Sequence, residues 1–275
     1  MSQESSQPVI RHYTVHDLGG KILAALKNAG VDLDNLTIED LAAVDAFHIR
    51  GREATRELAG LARLADGDTV LDAGCGIGGT SRYLAAACGC RVSGVDLTGE
   101  YVDVARMLTE RVGLSDRVDF QQGSVLDLPF EDGCFDVVWT EHAQMNIADK
   151  PAFYRELFRV LKPGGKLAFH DIFAGPGGEL RYPVPWAPDD TISHLVSIED
   201  LRGALAAAGF SQLVWEDKTA VSAAFFQTML QRGPAAVGLH LLMDDAKNRF
   251  ANMVPNLAEG RICVVQAVMR KGAGA

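Results

Sequence analysis

The sequence predicts an α/β fold in which a mostly parallel sheet lies between helices on both faces. Two observations carry this prediction: short apolar strands alternate with helical segments from about residue 69 to residue 170, and the first strand ends in a glycine-rich bend. Strands that alternate with helices form βαβ units, whose strands run parallel. The chain has 275 residues, of which 48% are hydrophobic, so it can bury a sizeable core without disulfides or metals.

Helical segments precede the first strand. Apolar spacing predicts a helix over His16–Ala29, Thr37 is a candidate N-cap for a second helix, and a third is predicted over residues 51–64. The polar segment Met1–Pro8 lacks the features of a signal peptide and is expected to be a short flexible terminus. Residues 1–64 are therefore predicted to form an N-terminal helical preamble or lid.

The central alternation supplies five strands and the helices between them. The runs are short, rich in branched apolar residues and bounded by turn residues, as buried parallel strands are. The predicted strands are residues 69–73, 91–96, 118–122, 135–139 and 166–170. The predicted helices between them are residues 80–87, 99–112 and 151–161, and a Lys-Pro-Gly-Gly turn occupies residues 162–165.

The regular alternation breaks after the fifth strand. Residues 171–197 are rich in glycine and proline, and long insertions at strand ends often carry substrate-binding elements. Residues 65–275 are therefore predicted to be the core, with substrate-binding insertions at about 171–197 and 219–257. The remaining predicted elements are a helix at 197–208, a strand at 210–216, helices at 219–232 and 235–252, and a last strand at 262–269.

Charge and cysteine content narrow the possible functions. The chain carries 26 Lys and Arg against 36 Asp and Glu, a net charge of −10, which gives no general attraction to nucleic acid or anionic lipid. The five cysteines are odd in number and irregularly spaced, which favours reduced thiols and no metal site. No apolar run approaches the length of a membrane-spanning helix. These features are typical of a soluble cytoplasmic protein and disfavour a protein that binds nucleic acid through a basic patch.

The glycine-rich bend is a candidate cofactor loop. Residues 72–79 read DAGCGIGG and lie between a strand and a helix, where glycines let the backbone approach a ligand and the helix offers amide donors. Asp96 ends the next strand, at the position where a carboxylate accepts hydrogen bonds from ribose. Gly74, Gly76 and Gly79 also satisfy the GxGxxG dinucleotide fingerprint. Asp72 argues against that alternative, because a carboxylate beside the loop would repel a pyrophosphate.

Several motifs, in order along the chain, resemble those of class I S-adenosylmethionine-dependent methyltransferases. VLDAGCGIG at 70–78 resembles motif I, GVD at 94–96 the acidic motif II, and GSVLDLPF at 123–130 the adenine loop. FDVVW at 135–139 resembles the fourth-strand motif, and LKPGG at 161–165 the turn before strand five. The resemblance covers about residues 64–210 and the final strand. It implies a Rossmann-like sheet of seven strands whose last strand is antiparallel, and S-adenosylmethionine as cofactor with S-adenosylhomocysteine as product.

The resemblance also implies contacts to the methionine part of the cofactor. The loop passes this part closely, and Asp72 helps to order it, often through water. The segment that begins at His48 lies near the methionine carboxylate, and the residues just after strand four, Thr140 first, flank the sulfonium. The loop glycines implied are Gly74, Gly76 and Gly78.

The adenosine contacts follow in the same way. Asp96 would bind the ribose, and Leu97 would pack on the adenine. Ser124 and Val125 would lie beside the adenine edge. Many relatives carry Asp at the Ser124 position, and Ser can accept one hydrogen bond in its place.

The segment WTEHAQMN at 139–146 follows the fourth strand, at the edge of the sheet where ligands bind. Together with FHIRG at 47–51 it resembles small-molecule enzymes that include sarcosine/dimethylglycine N-methyltransferases and natural-product methyltransferases. Methyl transfer is an in-line displacement, for which positioning supplies most of the effect. If the acceptor must lose a proton, His142 is the candidate base. Glu141 could neutralise an ammonium group.

Candidate acceptor contacts lie in the same loop and in the insertions. Met145 and Asn146 follow the candidate catalytic pair, and Phe226 lies on an apolar face that is either core, pocket wall or dimer contact. Arg181 could bind a carboxylate, and the nearby aromatic residues could face a methylammonium or line a pocket for an aromatic or polyketide acceptor. Those aromatic residues are Tyr182 and Trp186.

The sequence thus predicts a methyltransferase acting on nitrogen or oxygen of a small molecule, such as a specialised metabolite. A sarcosine/dimethylglycine-type N-methyltransferase is the nearest alternative. More distant ones are a NAD-dependent oxidoreductase and an inactive methyltransferase-like binding protein. No nucleic-acid or membrane partner is expected, and a homodimer remains open.

Overall fold

A computed structural model describes residues 3–45, 47–232, 238 and 243–272. Its centre is a seven-stranded sheet in the order β3-β2-β1-β4-β5-β7-β6. β7 pairs antiparallel with both β5 and β6, and the other pairings are parallel. This confirms the predicted fold, including the antiparallel last strand. The strands are β1 Thr69–Ala73, β2 Arg91–Asp96, β3 Val118–Gln122, β4 Phe135–Glu141, β5 Leu161–Ala174, β6 Phe210–Asp217 and β7 Ile262–Lys271.

Helices cover both faces of the sheet, and helices near the N-terminus pack against one of these covering helices. One apolar cluster packs α7 and α8 against one face, and a second packs α4, α5 and α6 against the other. A third cluster holds α2 and α3 against α6. The helices are α1 Gln3–Tyr13, α2 Leu18–Asn28, α3 Ile38–Asp45, α4 Arg52–Ala62, α5 Gly79–Cys88, α6 Gly99–Arg111, α7 Lys150–Val160, α8 Ile198–Ala207, α9 Thr219–Arg232 and α10 Ala246–Ala258.

Local signals explain where several helices begin. Thr37 accepts a hydrogen bond from the Asp40 amide while the Asp40 carboxylate accepts one from the Thr37 amide, a reciprocal arrangement that confirms Thr37 as the N-cap. Ser197 caps α8 by accepting from the Asp200 amide. Within the described ranges, no helix has both the length and the apolar character needed to cross a bilayer.

The N-terminal segment differs from its prediction. Residues up to Pro8 are expected to be flexible, but α1 spans Gln3–Tyr13 with that proline inside it. Long-range contacts fix the helix: His12 is hydrogen-bonded to the Pro185 carbonyl, and Tyr13 donates to Asn146. The sequence shows no sign of these partners, which lie more than 130 residues away.

Two later elements also differ. The predicted turn at 162–165 lies inside β5, because the pairing shifts from Phe135–Leu161 to Val137–Lys166 and the turn becomes a bulge within the strand. The last helix, α10, spans Ala246–Ala258 and so continues past its predicted end near residue 252. Residues 235–237 and 239–242 of that predicted helix lie outside the described residues.

Candidate functional site

A cavity of about 320 Å³ lies at the carboxyl ends of β1, β2 and β4. This edge of a parallel sheet is where ligands bind in open α/β folds. The N-terminal segment covers the cavity through Val9, Tyr13 and Phe47. The predicted site residues that line it are His48, Asp72, Gly74, Gly76, Asp96, Leu97, Ser124, Val125, Glu141, His142 and Asn146.

The glycine-rich loop forms one wall of the cavity. Gly74 has φ +86°, and a Cβ there would come within 2.6 Å of the Ala143 Cβ in the loop after β4. Gly76 has φ +54° with open space where a Cβ would be. Positive φ at both positions explains why glycine is required, and the open side of Gly76 leaves room for a ligand against the backbone.

Gly78 and Thr140, also predicted cofactor contacts, do not line the cavity. Gly78 is the N-cap of α5, and a Cβ there would meet the Phe120 ring at 2.5 Å. Thr140 is buried and alternates along β4 with Glu141, which does line the cavity. Neighbouring side chains of a strand point to opposite faces, so the two cannot both reach the site.

Asp96 connects the end of β2 to the loop. Its carboxylate accepts hydrogen bonds from the Gly76 amide at 2.9 Å and from the Thr98 amide at 2.8 Å. Burial raises the pKa of Asp96, and the amide hydrogen bonds oppose that rise. The carboxylate lines the cavity beside Leu97, as a ribose-binding group should.

Asp72 is 2% exposed and accepts a short hydrogen bond of 2.6 Å from the Ser81 hydroxyl. Burial raises its pKa to about 7, with smaller contributions from Glu141 and Asp96. A cationic group in the cavity would favour the ionised form of this carboxyl.

The predicted adenine contacts, Ser124 and Val125, lie beside Leu97 in the cavity wall. The Ser124 hydroxyl oxygen already accepts a hydrogen bond from the Leu126 amide at 3.2 Å. A hydroxyl can accept a second hydrogen bond or donate one, so it still has capacity for a ligand.

Glu141 is the centre of a buried polar cluster. Its Oε2 accepts hydrogen bonds from the Thr55 hydroxyl, the Thr80 hydroxyl and the Trp139 indole at 3.0, 2.8 and 3.0 Å. Burial acts against the charge, but the imidazoles of His48 and His170 and the Trp139 indole outweigh it and lower the pKa of Glu141 to about 2. Glu141 is therefore a carboxylate whose one oxygen is fully engaged by the protein.

His48, Glu141 and His170 offer three potential ligand atoms within 4.8 Å of one another. Glu141 Oε1 lies 3.4 Å from His48 Nε2 and 3.7 Å from His170 Nδ1. However, His48 Nε2 is 3.0 Å from the Gly51 carbonyl, which can only accept. It is also 3.0 Å from the hydroxyl of Thr55, which donates its own proton to Glu141. This nitrogen therefore carries hydrogen, so the cluster suits hydrogen bonding better than metal binding.

His142 follows this cluster and faces the cavity. Its φ is +51°, a left-handed conformation that costs energy for a residue with a side chain and is often found at functional sites. Burial, with the nearby His170 and His48, lowers its pKa well below the usual range. Its Nε2 is buried and has no hydrogen-bond partner among the described residues. A neutral imidazole with an unused nitrogen can accept a proton from a ligand.

Buried groups fix the loop that carries His142. Asp171 accepts hydrogen bonds from the amides of Ala143 and Gln144, both at 3.1 Å. Lys150 donates to the carbonyls of Gln144, Ile147 and His194. Asp171 is fully buried and does not line the cavity, so it is a positioning residue.

A second, smaller cavity of about 30 Å³ lies beyond His142. Phe47, His48 and His142 line both cavities, which therefore adjoin at these side chains. Of the predicted acceptor contacts, Met145, Trp186 and Phe226 line this second cavity.

Two predicted acceptor contacts line neither cavity. Arg181 pairs with Glu259 at 2.5 Å at the surface, and its side chain is 51% exposed. Tyr182 packs at the edge of the apolar cluster around Trp186. The structure therefore does not bring Arg181 to either cavity, because the carboxylate of Glu259, just after α10, holds its guanidinium.

Sequence reasoning missed several cavity residues. Tyr13 donates a 2.8 Å hydrogen bond from its hydroxyl to Asn146 and so connects α1 to the loop after β4. Thr80 and Tyr101 face the cavity from the first turns of α5 and α6. Both residues lie in the first turn of a helix that follows a parallel strand, and this position could have identified them from the sequence. No local pattern identifies Tyr13.

Cys75, inside the glycine loop, also lines the cavity. It is 8% exposed, and burial raises the pKa of its thiol well above the ordinary value, with further contributions from Asp96 and Asp72. The thiol is therefore neutral.

Comparison with known proteins identifies the class of domain. Residues 71–169 match the family model described as a methyltransferase domain. Methyltransferase GfsG of Streptomyces halstedii is 35% identical over 133 residues, which cover 48% of this chain and 48% of that protein. Phosphoethanolamine N-methyltransferase of Triticum aestivum is 34% identical over 169 residues, which cover 62% of this chain and 33% of that protein. The chain thus spans about half or less of the length of these curated relatives.

A solved structure is similar in fold to nearly the whole of this chain. Geranyl diphosphate C-methyltransferase from Streptomyces coelicolor A3(2) superposes with a TM-score of 0.74, covering 98% of this chain and 99% of that one at 17% identity. The glycine loop from residue 72 onward, Asp96 and β4 all lie within the residues that match the methyltransferase-domain model.

Proposed function

We propose that this chain, whose residues 71–169 are a methyltransferase domain, transfers a methyl group from S-adenosylmethionine to nitrogen or oxygen of a small-molecule acceptor. The observation that carries the proposal is a single cavity of about 320 Å³ in which the glycine loop, Asp96 and the loop after β4 meet.

The residues present fit the cofactor. The open face of Gly76 gives a backbone wall that a Cβ would fill. The cavity also carries the carboxyl groups of Asp45, Asp72, Asp96 and Glu141, and no lysine or arginine of the described chain lines it. An acidic wall suits a ligand that carries a sulfonium and an ammonium group.

Each wall has a part in binding. Asp96 accepts hydrogen bonds from the ribose hydroxyls, and Leu97 packs against the adenine between the loop and residues 124–125. Asp72 and the loop amides order the methionine chain, and His48 lies near its carboxylate. The N-terminal segment, residues 1–64, closes over the site as a lid.

S-adenosylmethionine supplies a methyl carbon that is already activated by its sulfonium. The chain holds the acceptor behind that carbon and excludes water. His142, neutral and with a free Nε2, accepts the proton that the acceptor loses. Glu141 stays ionised and holds the hydroxyls of Thr55 and Thr80 in place.

Calorimetry and a label-transfer assay test the proposal. S-adenosylhomocysteine should bind saturably, whereas NADH should not. Incubation with methyl-tritiated S-adenosylmethionine and a panel of amines and phenols should label an acceptor. Saturable NADH binding without S-adenosylhomocysteine binding would support an oxidoreductase instead. Tight cofactor binding with no label transfer across the panel would support a binding protein.

A further inference from the structure

The second cavity has an unusual lining. It contains Met145, Met229, Met243 and Met253, which are four of the seven methionines of the chain, together with Trp186 and several phenylalanines. Apolar and aromatic walls are typical of pockets for hydrophobic ligands. Methionine side chains are unbranched and rotate easily, so a cavity of about 30 Å³ lined by four of them can enlarge around a ligand.

Charge excludes several kinds of acceptor. Among the described residues, no lysine or arginine lines either cavity. The cations nearby are already engaged: Lys150 by three carbonyls, Arg249 by the Val184 and Asp244 carbonyls, and Arg181 by Glu259. A phosphate or carboxylate of the acceptor buried in the second cavity would therefore remain unpaired, which costs several kcal/mol.

The junction of the cavities fixes where the reacting group lies. His48 and His142 are the titratable side chains that line the second cavity, and both also face the first. The unused Nε2 of His142 can accept a hydrogen bond from an acceptor hydroxyl. No carboxylate of the described residues lines the second cavity, so an ammonium group inside it has no counterion. The carboxylates line the first cavity, where the proposed cationic cofactor would occupy them.

We infer that the acceptor is an uncharged, largely apolar molecule with a hydroxyl group, and this inference rests on the proposed methyl transfer. Its hydrocarbon part fills the methionine-rich second cavity, and its hydroxyl lies at His142. The hydroxyl oxygen forms a bond to the methyl carbon, the carbon–sulfur bond breaks with its electron pair going to sulfur, and the hydroxyl proton passes to His142 Nε2. The products are a methyl ether and S-adenosylhomocysteine.

Binding of 4-alkylphenols with chains of one to six carbons tests the inference independently of turnover. Each is titrated by calorimetry into the protein saturated with S-adenosylhomocysteine, with sarcosine and phosphoethanolamine as charged comparators. Affinity should rise about fourfold per methylene over the first few carbons, because each buried methylene adds a constant increment. The comparators should not bind, and label transfer should follow the same order.

A pair of neighbouring substitutions on α9 locates the binding. Met229→Lys places a charge in the second cavity and should weaken 4-hexylphenol binding by about tenfold or more. Leu230→Lys, at a side chain that is 41% exposed, adds the same charge at the surface and should have no effect. Both variants should bind S-adenosylhomocysteine as the unchanged protein does.

The inference would be overturned if the alkylphenols did not bind, or if their affinity did not depend on chain length. It would also be overturned if Met229→Lys and Leu230→Lys had equal effects, or if the charged comparators bound more tightly than the alkylphenols. If the unchanged protein did not bind S-adenosylhomocysteine at all, that result would instead contradict the proposed function itself.

Discussion

Asp96 has two sets of partners in the proposed complex, the amides of Gly76 and Thr98 and the ribose hydroxyls. Asp96→Ala should therefore lower the affinity for S-adenosylhomocysteine by about 100-fold, since hydrogen bonds to a charged group contribute roughly 1.5–3 kcal/mol each. Calorimetry measures this. Asp103→Ala removes the same charge from a side chain that is 79% exposed and should leave the affinity unchanged. Equal affinities in all three proteins would refute the ribose contact.

His142 combines a left-handed backbone, a buried free nitrogen and a lowered pKa. His142→Ala should reduce turnover by about 100-fold, within the range of general-base contributions, and change the affinity for S-adenosylhomocysteine less than threefold or so. His16→Ala, at an exposed histidine, is the matched control. Turnover of the variant at the unchanged rate would leave His142 with a structural role only.

The same residue predicts a pH profile. A base must be unprotonated to act, and the pKa of His142 lies well below 6.5. The rate should therefore stay level between pH 6.5 and 8 and fall only in more acidic buffer. Initial rates at saturating cofactor measure this profile. A decline centred near pH 6.5 would show that burial does not lower the pKa of His142.

At the scale of elements, α1 is connected to the loop after β4 by the hydrogen bond from Tyr13 to Asn146. Tyr13→Phe keeps the ring and removes the bond, so the lid should open more often. The dissociation rate of S-adenosylhomocysteine, measured by stopped flow, should rise about fivefold to tenfold, as loss of a net 1–1.5 kcal/mol implies. Tyr83→Phe, on α5 and outside the cavity, should not change this rate. An unchanged rate in Tyr13→Phe would argue that the lid is held by apolar packing alone.

The elements also show how far sequence reasoning reaches. The first three strands match their predicted bounds, because buried parallel strands are short apolar runs bounded by turn residues. The capping pair Thr37 and Asp40 is equally local. What the sequence could not predict depends on distant partners: the pairing that makes residues 161–165 a bulge, and the contacts that hold α1.

The candidate site divides in the same way. Gly74, Gly76 and Asp96 were accessible because a strand, a loop and a helix place them within one local unit. The surface position of Arg181 was not, since its partner Glu259 lies 78 residues away. The second cavity draws its methionines from four separate segments, so no window of sequence contains it.

For the whole molecule, buried Asp72 predicts how stability depends on pH. Burial raises its pKa to about 7 in the folded state from the ordinary value of 3.8, so the folded state binds the proton more tightly. The protonated Asp72 therefore adds to the free energy of unfolding at low pH. This addition is lost as the carboxyl ionises, and the free energy of unfolding falls by about 2 kcal/mol between pH 5.5 and 7.5. Asp72→Asn keeps an oxygen that can accept from Ser81 and cannot ionise.

The Asn variant should therefore lose less stability than the unchanged protein over that interval. Urea unfolding at the two pH values, without added ligand, measures the difference. Asp103→Asn, at the exposed position on α6, supplies the control. A parallel decline in all three proteins would assign the pH dependence to other groups, of which Asp171, with a pKa also raised to about 7 by burial, is the first to test.

The position of Cys75 has a consequence for chemical selectivity. A thiolate is a strong nucleophile, and one that faced an activated methyl donor would take the methyl group and become a thioether. Burial and the carboxylates of Asp72 and Asp96 keep this sulfur protonated. If the chain binds the proposed cationic donor, the acidic wall that suits this donor also protects the loop from it, because the neutral thiol of Cys75 is a poor nucleophile.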